Sequence, residues 1–187
     1  MASQCQWVTE FNEQLSNNPE LSGGKWNLKM VNHSLPERGW LITKSKGKAA
    51  FTCSHSKCAN RWTSVNGLAK FNYRKDGDVR VFLARQKCQK CEDKFEDAIW
   101  EDSDIKRAVT KLLDKVKEKF YGSNNSTTGT PDNTYIPADM RAPHQSHLCE
   151  ACELGECQND DVNSITSGME DLRVDSESSS ESDNFEY

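Results

Sequence analysis

The chain has no run of apolar residues approaching the roughly 20 needed to span a bilayer, which argues against a transmembrane helix. Its first 24 residues hold Glu10, Glu13 and Glu20 and no Lys or Arg, so the basic start and apolar block of a secretory signal are missing. The expectation is a cytoplasmic protein, where thiols stay reduced and disulfide scaffolds are rare. No Ser-His-Asp series, glycine-rich phosphate loop or paired-carboxylate site can be picked out, so the reading is a non-enzyme. Apolar content is low too: a mean hydropathy of -0.84 over 187 residues points to one domain of ordinary size with ends too polar to fold.

Charge is present in quantity and unevenly placed. Residues 1–24 sum to -3, residues 25–122 to +10 and residues 123–187 to -12. A basic body is thus followed by an acidic end.

Trp7, Val8, Phe11 and Leu15 recur at helical spacing, which predicts a short amphipathic helix over 6–16, broken by Asn17 to Gly24. From Lys25 the pattern changes to alternation. Trp26 to Met30, Trp40 to Thr43, Ala49 to Thr52, Arg61 to Val65, Leu68 to Tyr73 and Val79 to Leu83 read as strands of an antiparallel meander, with a hairpin turn at Asp76-Gly77-Asp78. Ile105, Ala108, Val109, Leu112, Leu113, Val116 and Phe120 form one apolar stripe, so 104–121 is a second amphipathic helix, started by Ser103 or Asp104 and ended by Gly122. Its Lys-rich face reads as solvated surface, and the tryptophans at 7, 26, 40, 62 and 100 read as core.

The fold class expected is α+β: a small antiparallel core between two helices. Residues 1–24 form the N-terminal helix and linker. Residues 25–157 form the folded domain, including a flexible linker at 123–142 and a Cys/His knot at 144–157. Residues 158–187, with nine acids and seven serines, form a disordered acidic tail.

Cysteine carries the chemistry. Seven of the eight fall in three clusters: Cys53-x4-Cys58, Cys88-x2-Cys91 and Cys149-x2-Cys152-x4-Cys157. Thiolates a few residues apart bend a turn around one Zn²⁺, and two such turns complete a tetrahedron. Cys53, Cys58, Cys88 and Cys91 make one such set, which makes the antiparallel core zinc-ribbon-like and residues 25–157 a zinc-binding domain. Cys149, Cys152 and Cys157 need a fourth ligand, which His144 supplies; His147 is an inferior alternative with one residue between it and Cys149. Two closed sites leave only Cys5 over and offer no open position for catalysis, so both zinc ions are structural. His55, inside the first knuckle, reads as a bystander, and His33 has no evident partner.

Phe51-Thr52-Cys53, Cys58-x3-Trp62-x-Ser64, Val79-x-Val81, Gln86-Lys87-Cys88-Gln89-Lys90-Cys91, Phe95-Glu96, Lys119-Phe120-Tyr121-Gly122 and His144-x4-Cys149-Glu150-Ala151-Cys152-x-Leu154-Gly155-x-Cys157 follow one another in this order. From about Trp7 to Cys157 the chain resembles the receptor-transporting protein family, with its 3CxxC-type zinc finger. The resemblance implies an adaptor that binds G-protein-coupled receptors of the odorant or taste type and promotes their targeting to the plasma membrane. Some relatives imply an alternative, an interferon-induced antiviral protein that binds RNA. The basic body, with Phe71, Tyr73 and Phe82 as exposed aromatics, suits RNA stacking in that alternative, and it suits peripheral contact with the anionic inner face of the membrane.

Overall fold

The computed structural model describes residues 2–34, 38–122 and 144–157. The linker expected at 123–142 and the acidic tail expected at 158–187 lie outside the described residues. The architecture is α+β. Helix α1 (Ala2–Ser16) and the short α2 (Pro19–Ser22) precede strands β1 (Asn27–Val31), β2 (Leu41–Thr52), β3 (Arg61–Tyr73) and β4 (Asp78–Leu83). Three two-residue strands follow: β5 (Gln86–Lys87), β6 (Phe95–Glu96) and β7 (Ile99–Trp100). Helix α3 (Asp102–Phe120) comes next, and a 3-10 turn (Ser146–Leu148) and α4 (Glu150–Glu153) complete the described elements.

The main sheet has the order β1-β4-β3-β2-β7, and β5 pairs with β6 in a small second sheet. Two of the expected segment pairs fuse into long strands. Trp40–Thr43, apart from Trp40 itself, and Ala49–Thr52 belong to the single β2, and Arg61–Val65 and Leu68–Tyr73 to the single β3, paired throughout with a bulge near Lys48. The meander expectation fails at β1, which runs parallel to β4. Asn27 N–H bonds to Gly77 O (2.9 Å), so the chain enters beside the β3–β4 turn and β1 occupies the free edge of β4. Alternation shows which face a strand buries; it does not identify the neighbour. The turn itself is where it was expected. Gly77 sits at φ 91°, and a Cβ there would also meet Lys25 O at 2.3 Å, so both conformation and space require glycine.

The inner face of the sheet packs on α1 and α3. Trp7 and Phe11 meet Ile105, Val109, Leu112 and Leu113 over Phe51, Phe71, Val79 and Val81. Trp7 lies 5.8 Å from Phe71 and edge-on to Trp100 at 5.3 Å. At roughly 1.5–3 kcal/mol for each large side chain, this burial stabilises the fold apart from any metal. Gly47 leaves room for Trp100, because a Cβ there would stand 2.5 Å from the indole.

Two local expectations need correction. Glu101, not Ser103 or Asp104, holds the N-cap of α3, and it makes no side-chain capping bond. Asp104 is buried within the helix and accepts from Lys48 N–H (2.9 Å) and from Arg107 (2.7 Å). Trp40 is not a core residue: it is half-buried, with the Arg74 and Arg80 guanidinium groups 4.6 and 4.4 Å from its ring centroid. Gly122, at φ 65°, follows α3 as expected. Among the described residues no helix is long and apolar enough to cross a membrane.

Candidate metal centres

The first cluster forms where two turns meet. The β2–β3 hairpin ends in a loop whose base is closed by Cys53 N–H to Asn60 O (2.8 Å), and Cys58 N–H bonds back to His55 O (2.9 Å). Ala59 takes φ 45° so that the four-residue spacing can close. The second turn follows β5: Cys91 and Glu92 N–H groups bond to Cys88 O, and Glu92 takes φ 47° before the chain returns as β6. Buried Glu96 on β6 ties the turns together by accepting from Ser54 N–H (2.7 Å) and Ser54 Oγ (2.8 Å).

The four sulfurs converge. Cys53 Sγ is 3.4 Å from Cys91 Sγ and Cys58 Sγ is 3.7 Å from Cys88 Sγ, with all four within 4.8 Å of one another. A tetrahedron with Zn–S of about 2.3 Å has edges of about 3.8 Å. Burial would raise the Cys88 thiol. Hydrogen bonds from Lys90 N–H, the Cys58 thiol, the Asn60 amide and Cys91 N–H outweigh it and bring Cys88 down to about 7. Cys91, which shares a hydrogen with Cys53 and is also desolvated, is pushed up to about 12. A metal entering here displaces protons chiefly from the raised thiols.

The second cluster is a short contiguous piece of chain. His144 Nε2 lies 3.1 Å from Cys152 Sγ and 3.5 Å from Cys157 Sγ, and Cys149 completes a group with all four atoms within 4.8 Å. Cys152 and Glu153 N–H groups bond to Cys149 O, and Gly155 at φ 68° turns Cys157 back, its N–H reaching Ala151 O (3.1 Å). His147 is exposed and is not in the group; His55 is likewise exposed and outside the first group. Cys5 is exposed and free.

The knot sits on the outer face of the main sheet, where Cys149 and Ala151 pack against Leu68, Phe82 and Ala84. Charge fastens it at two points. Arg85 grips Glu150 through its guanidinium, and Arg85 N–H also donates to Glu150 Oε2 (2.8 Å). Lys44 and Lys70 stand directly opposite each other on β2 and β3, a repulsive arrangement that Glu156 relieves by pairing with both. Lys70 is only 2% exposed and also donates to Ser34 Oγ (2.8 Å). Burial works to raise the Glu156 carboxyl, but Lys44 and Lys70 outweigh it and hold it below the usual range. Sequence reasoning missed this bridge. The only signal was a lysine inside the apolar run Leu68–Tyr73.

The aromatics expected for base stacking are not available. Phe71 is 0%, Tyr73 2% and Phe82 2% exposed, because Phe71 and Tyr73 face the helices and Phe82 lies under the knot.

Residues 46–155 match the family model of a zinc-binding domain, the 3CxxC zinc ribbon. The chain belongs to the 3CxxC zinc-ribbon family. Both clusters of this 3CxxC protein fit structural zinc ions, one of four thiolates and one of three thiolates and an imidazole. Two of its cysteine pairs, Cys88/Cys91 and Cys149/Cys152, have the x2 spacing in the family's name; the first pair is wider, and the backbone turn at Ala59 accommodates the difference. The chain is 27% identical over 163 residues to receptor-transporting protein 4 of Mus musculus, covering 81% of this chain and 64% of the relative. It is 28% identical over 127 residues to receptor-transporting protein 4 of Homo sapiens, covering 64% and 50%. With receptor-transporting protein 3 of Mus musculus it shares 29% identity over 153 residues, covering 74% and 30%. The chain thus spans about a third to two thirds of the length of these curated relatives. No solved structure gives a significant match.

Proposed function

We propose that this 3CxxC protein is a zinc-stabilised accessory protein that binds membrane receptors of the G-protein-coupled chemosensory type and promotes their delivery to the plasma membrane. The observation that carries the reading is the pair of converged ligand groups in a chain similar to receptor-transporting proteins over most of its length. In this reading Cys53, Cys58, Cys88 and Cys91 hold one Zn²⁺, and His144, Cys149, Cys152 and Cys157 hold the other. With every ligand position filled, the metals shape a surface and do no chemistry on a substrate. Residues 25–157 are the zinc-binding domain, 123–142 its internal linker and 158–187 an acidic tail.

The basic body limits how such a protein meets its receptor. Cytoplasmic loops of membrane proteins are rich in Lys and Arg, so contact through the lysine-bearing face is repulsive and attraction comes from other surfaces. The test is surface staining of an epitope-tagged odorant or taste receptor in cells with and without the chain, alongside co-precipitation. Surface receptor rises with the native chain and stays at baseline with Cys88→Ser. A receptor signal indifferent to the chain, or restored by the variant as well as by the native form, overturns the reading.

A further inference from the structure

Strand edges are templates for pairing with other chains, and lysines commonly protect them. The outer strand β1 carries Lys29. On β2, where β7 covers only Ala49 and Ala50, the uncovered length carries Lys44, Lys46 and Lys48. The N-terminal half of β3 is a third edge and is built differently. Strand β4 pairs with β3 only from Ala69 to Tyr73, and after Ala84 N–H bonds to Leu68 O (2.9 Å) the chain turns away into β5. Residues 61–66 therefore have β2 on one side and an open groove on the other.

The bond from Cys53 N–H to Asn60 O sets the alternation along this stretch. Trp62 and Ser64, opposite Phe51 and Ala49, direct their backbone groups at β2, and the N–H and C=O of Thr63 point away from it into the groove. Among the described residues no backbone group bonds to Thr63 from that side, and the residue is exposed. Between Trp62 and Asn66 the edge carries no charge, and Trp62, Thr63 and Val65 are of the aromatic and β-branched types that favour extended structure.

The groove has a volume of about 340 Å³. Asn60, Asn66, Gln86, Gln89 and Gln145 line it. The Asn66, Gln89 and Gln145 amides each offer donors and an acceptor together, matching both groups of a peptide backbone, while Gln86 Oε1 is taken by Trp62 Nε1 and Asn60 Nδ2 by Cys88 Sγ. Its floor is rigid, because the Trp62 ring stacks on Phe51 at 5.4 Å and its Nε1 donates to Gln86 Oε1 (3.1 Å). Among the described residues no acid lines it, and Lys87, placed 4.6 Å from the Phe95 ring centroid, contributes the positive charge.

We propose that this groove takes an extended segment of a partner protein as an added strand on the β3 edge, with an acidic side chain directed at Lys87. Main-chain hydrogen bonds to Thr63 and the amide wall supply affinity, and Lys87 supplies the preference for acidic over basic segments. The site goes beyond the receptor reading and does not depend on it, since the groove is defined whatever the partner is.

The test uses the full, zinc-loaded chain with isotope-labelled amides. Three synthetic octapeptides are titrated: one alternating threonine and glutamate, one with lysine in place of glutamate, and one N-methylated on alternate amides. The acidic peptide shifts the amides of Arg61–Asn66 and Gln86–Gln89, the other two bind at least about tenfold more weakly, and Lys87→Glu reverses the charge preference. Lys87 adjoins Cys88 and packs on Phe95, so a native amide spectrum and an unchanged zinc-to-protein ratio of Lys87→Glu serve as the folding control. The proposal is overturned if acidic and basic peptides bind alike, or if none perturbs these residues at millimolar concentration. It is equally overturned if the same amides respond instead to a single-stranded RNA oligonucleotide or to self-association on concentrating the chain.

Discussion

The two metal centres differ in how each belongs to the fold. The first joins points far apart in the chain, with Cys88 35 residues beyond Cys53, and its turns are the ends of β2, β3, β5 and β6. The second is drawn from 14 consecutive residues, 144–157, and reaches the rest of the protein through a small apolar contact, the Arg85–Glu150 pair and the Glu156 bridge. A metal that closes long loops limits the unfolded chain more than one that closes a short loop. The comparison also has a direction. Arg85 and Gln86, which receive Glu150 and pair with Cys149, lead straight into the first centre's second turn. Site two thus docks on the segment that forms site one, whereas the four ligands of site one all lie outside the knot.

The largest expected effect breaks that dependence at its base. Cys88→Ser melts the two turns and β5–β6 and empties both sites, whereas His144→Ala empties only the second, because structural zinc contributes folding free energy directly. Metal-to-protein ratios by mass spectrometry distinguish the two variants; one zinc retained by Cys88→Ser would show the centres to be independent. Glu156→Gln comes next. Leaving the buried Lys70 ammonium without its carboxylate costs about 3 kcal/mol of knot docking, seen as accelerated amide exchange in 148–157 with the first centre unchanged. Lys44→Gln removes the more exposed arm of the same bridge and costs about 1 kcal/mol or less in the same measurement.

Acid sharpens the comparison further. The Glu156 carboxyl has a folded pKa below its ordinary value, so its stabilisation is fully present above the unfolded pKa and is lost as pH falls through the folded one. The knot therefore releases on acidification below about pH 4.5 partly through this group. Glu156→Gln flattens that share of the pH dependence. An unchanged acid profile of amide exchange in the variant would assign the release wholly to the metal ligands.

Much of this was legible in the residues. The spacing of Cys88 and Cys91, the apolar stripe from Ile105 to Phe120 and the Asp76-Gly77-Asp78 turn are local features, and local chemistry decides them. The burial of Phe71 and Phe82 on opposite faces of adjacent strands was not legible, since alternation does not reveal that both faces of this sheet are covered. Nor was the place of Lys70. In the sequence it is one of many lysines in a basic body; only the register that sets it opposite Lys44, with Glu156 above, makes it a fastening.

By itself the sequence determined that thiol chemistry organises this protein, which cysteines group together, and where its long amphipathic helix lies, because each depends on spacing along one short stretch of chain. Tertiary structure alone decided that β1 joins β4 in parallel, that the second knot covers the outer sheet face, and that half of β3 is left with an open edge. Those outcomes depend on which distant segments share a boundary, and a periodic pattern of side chains carries no record of that.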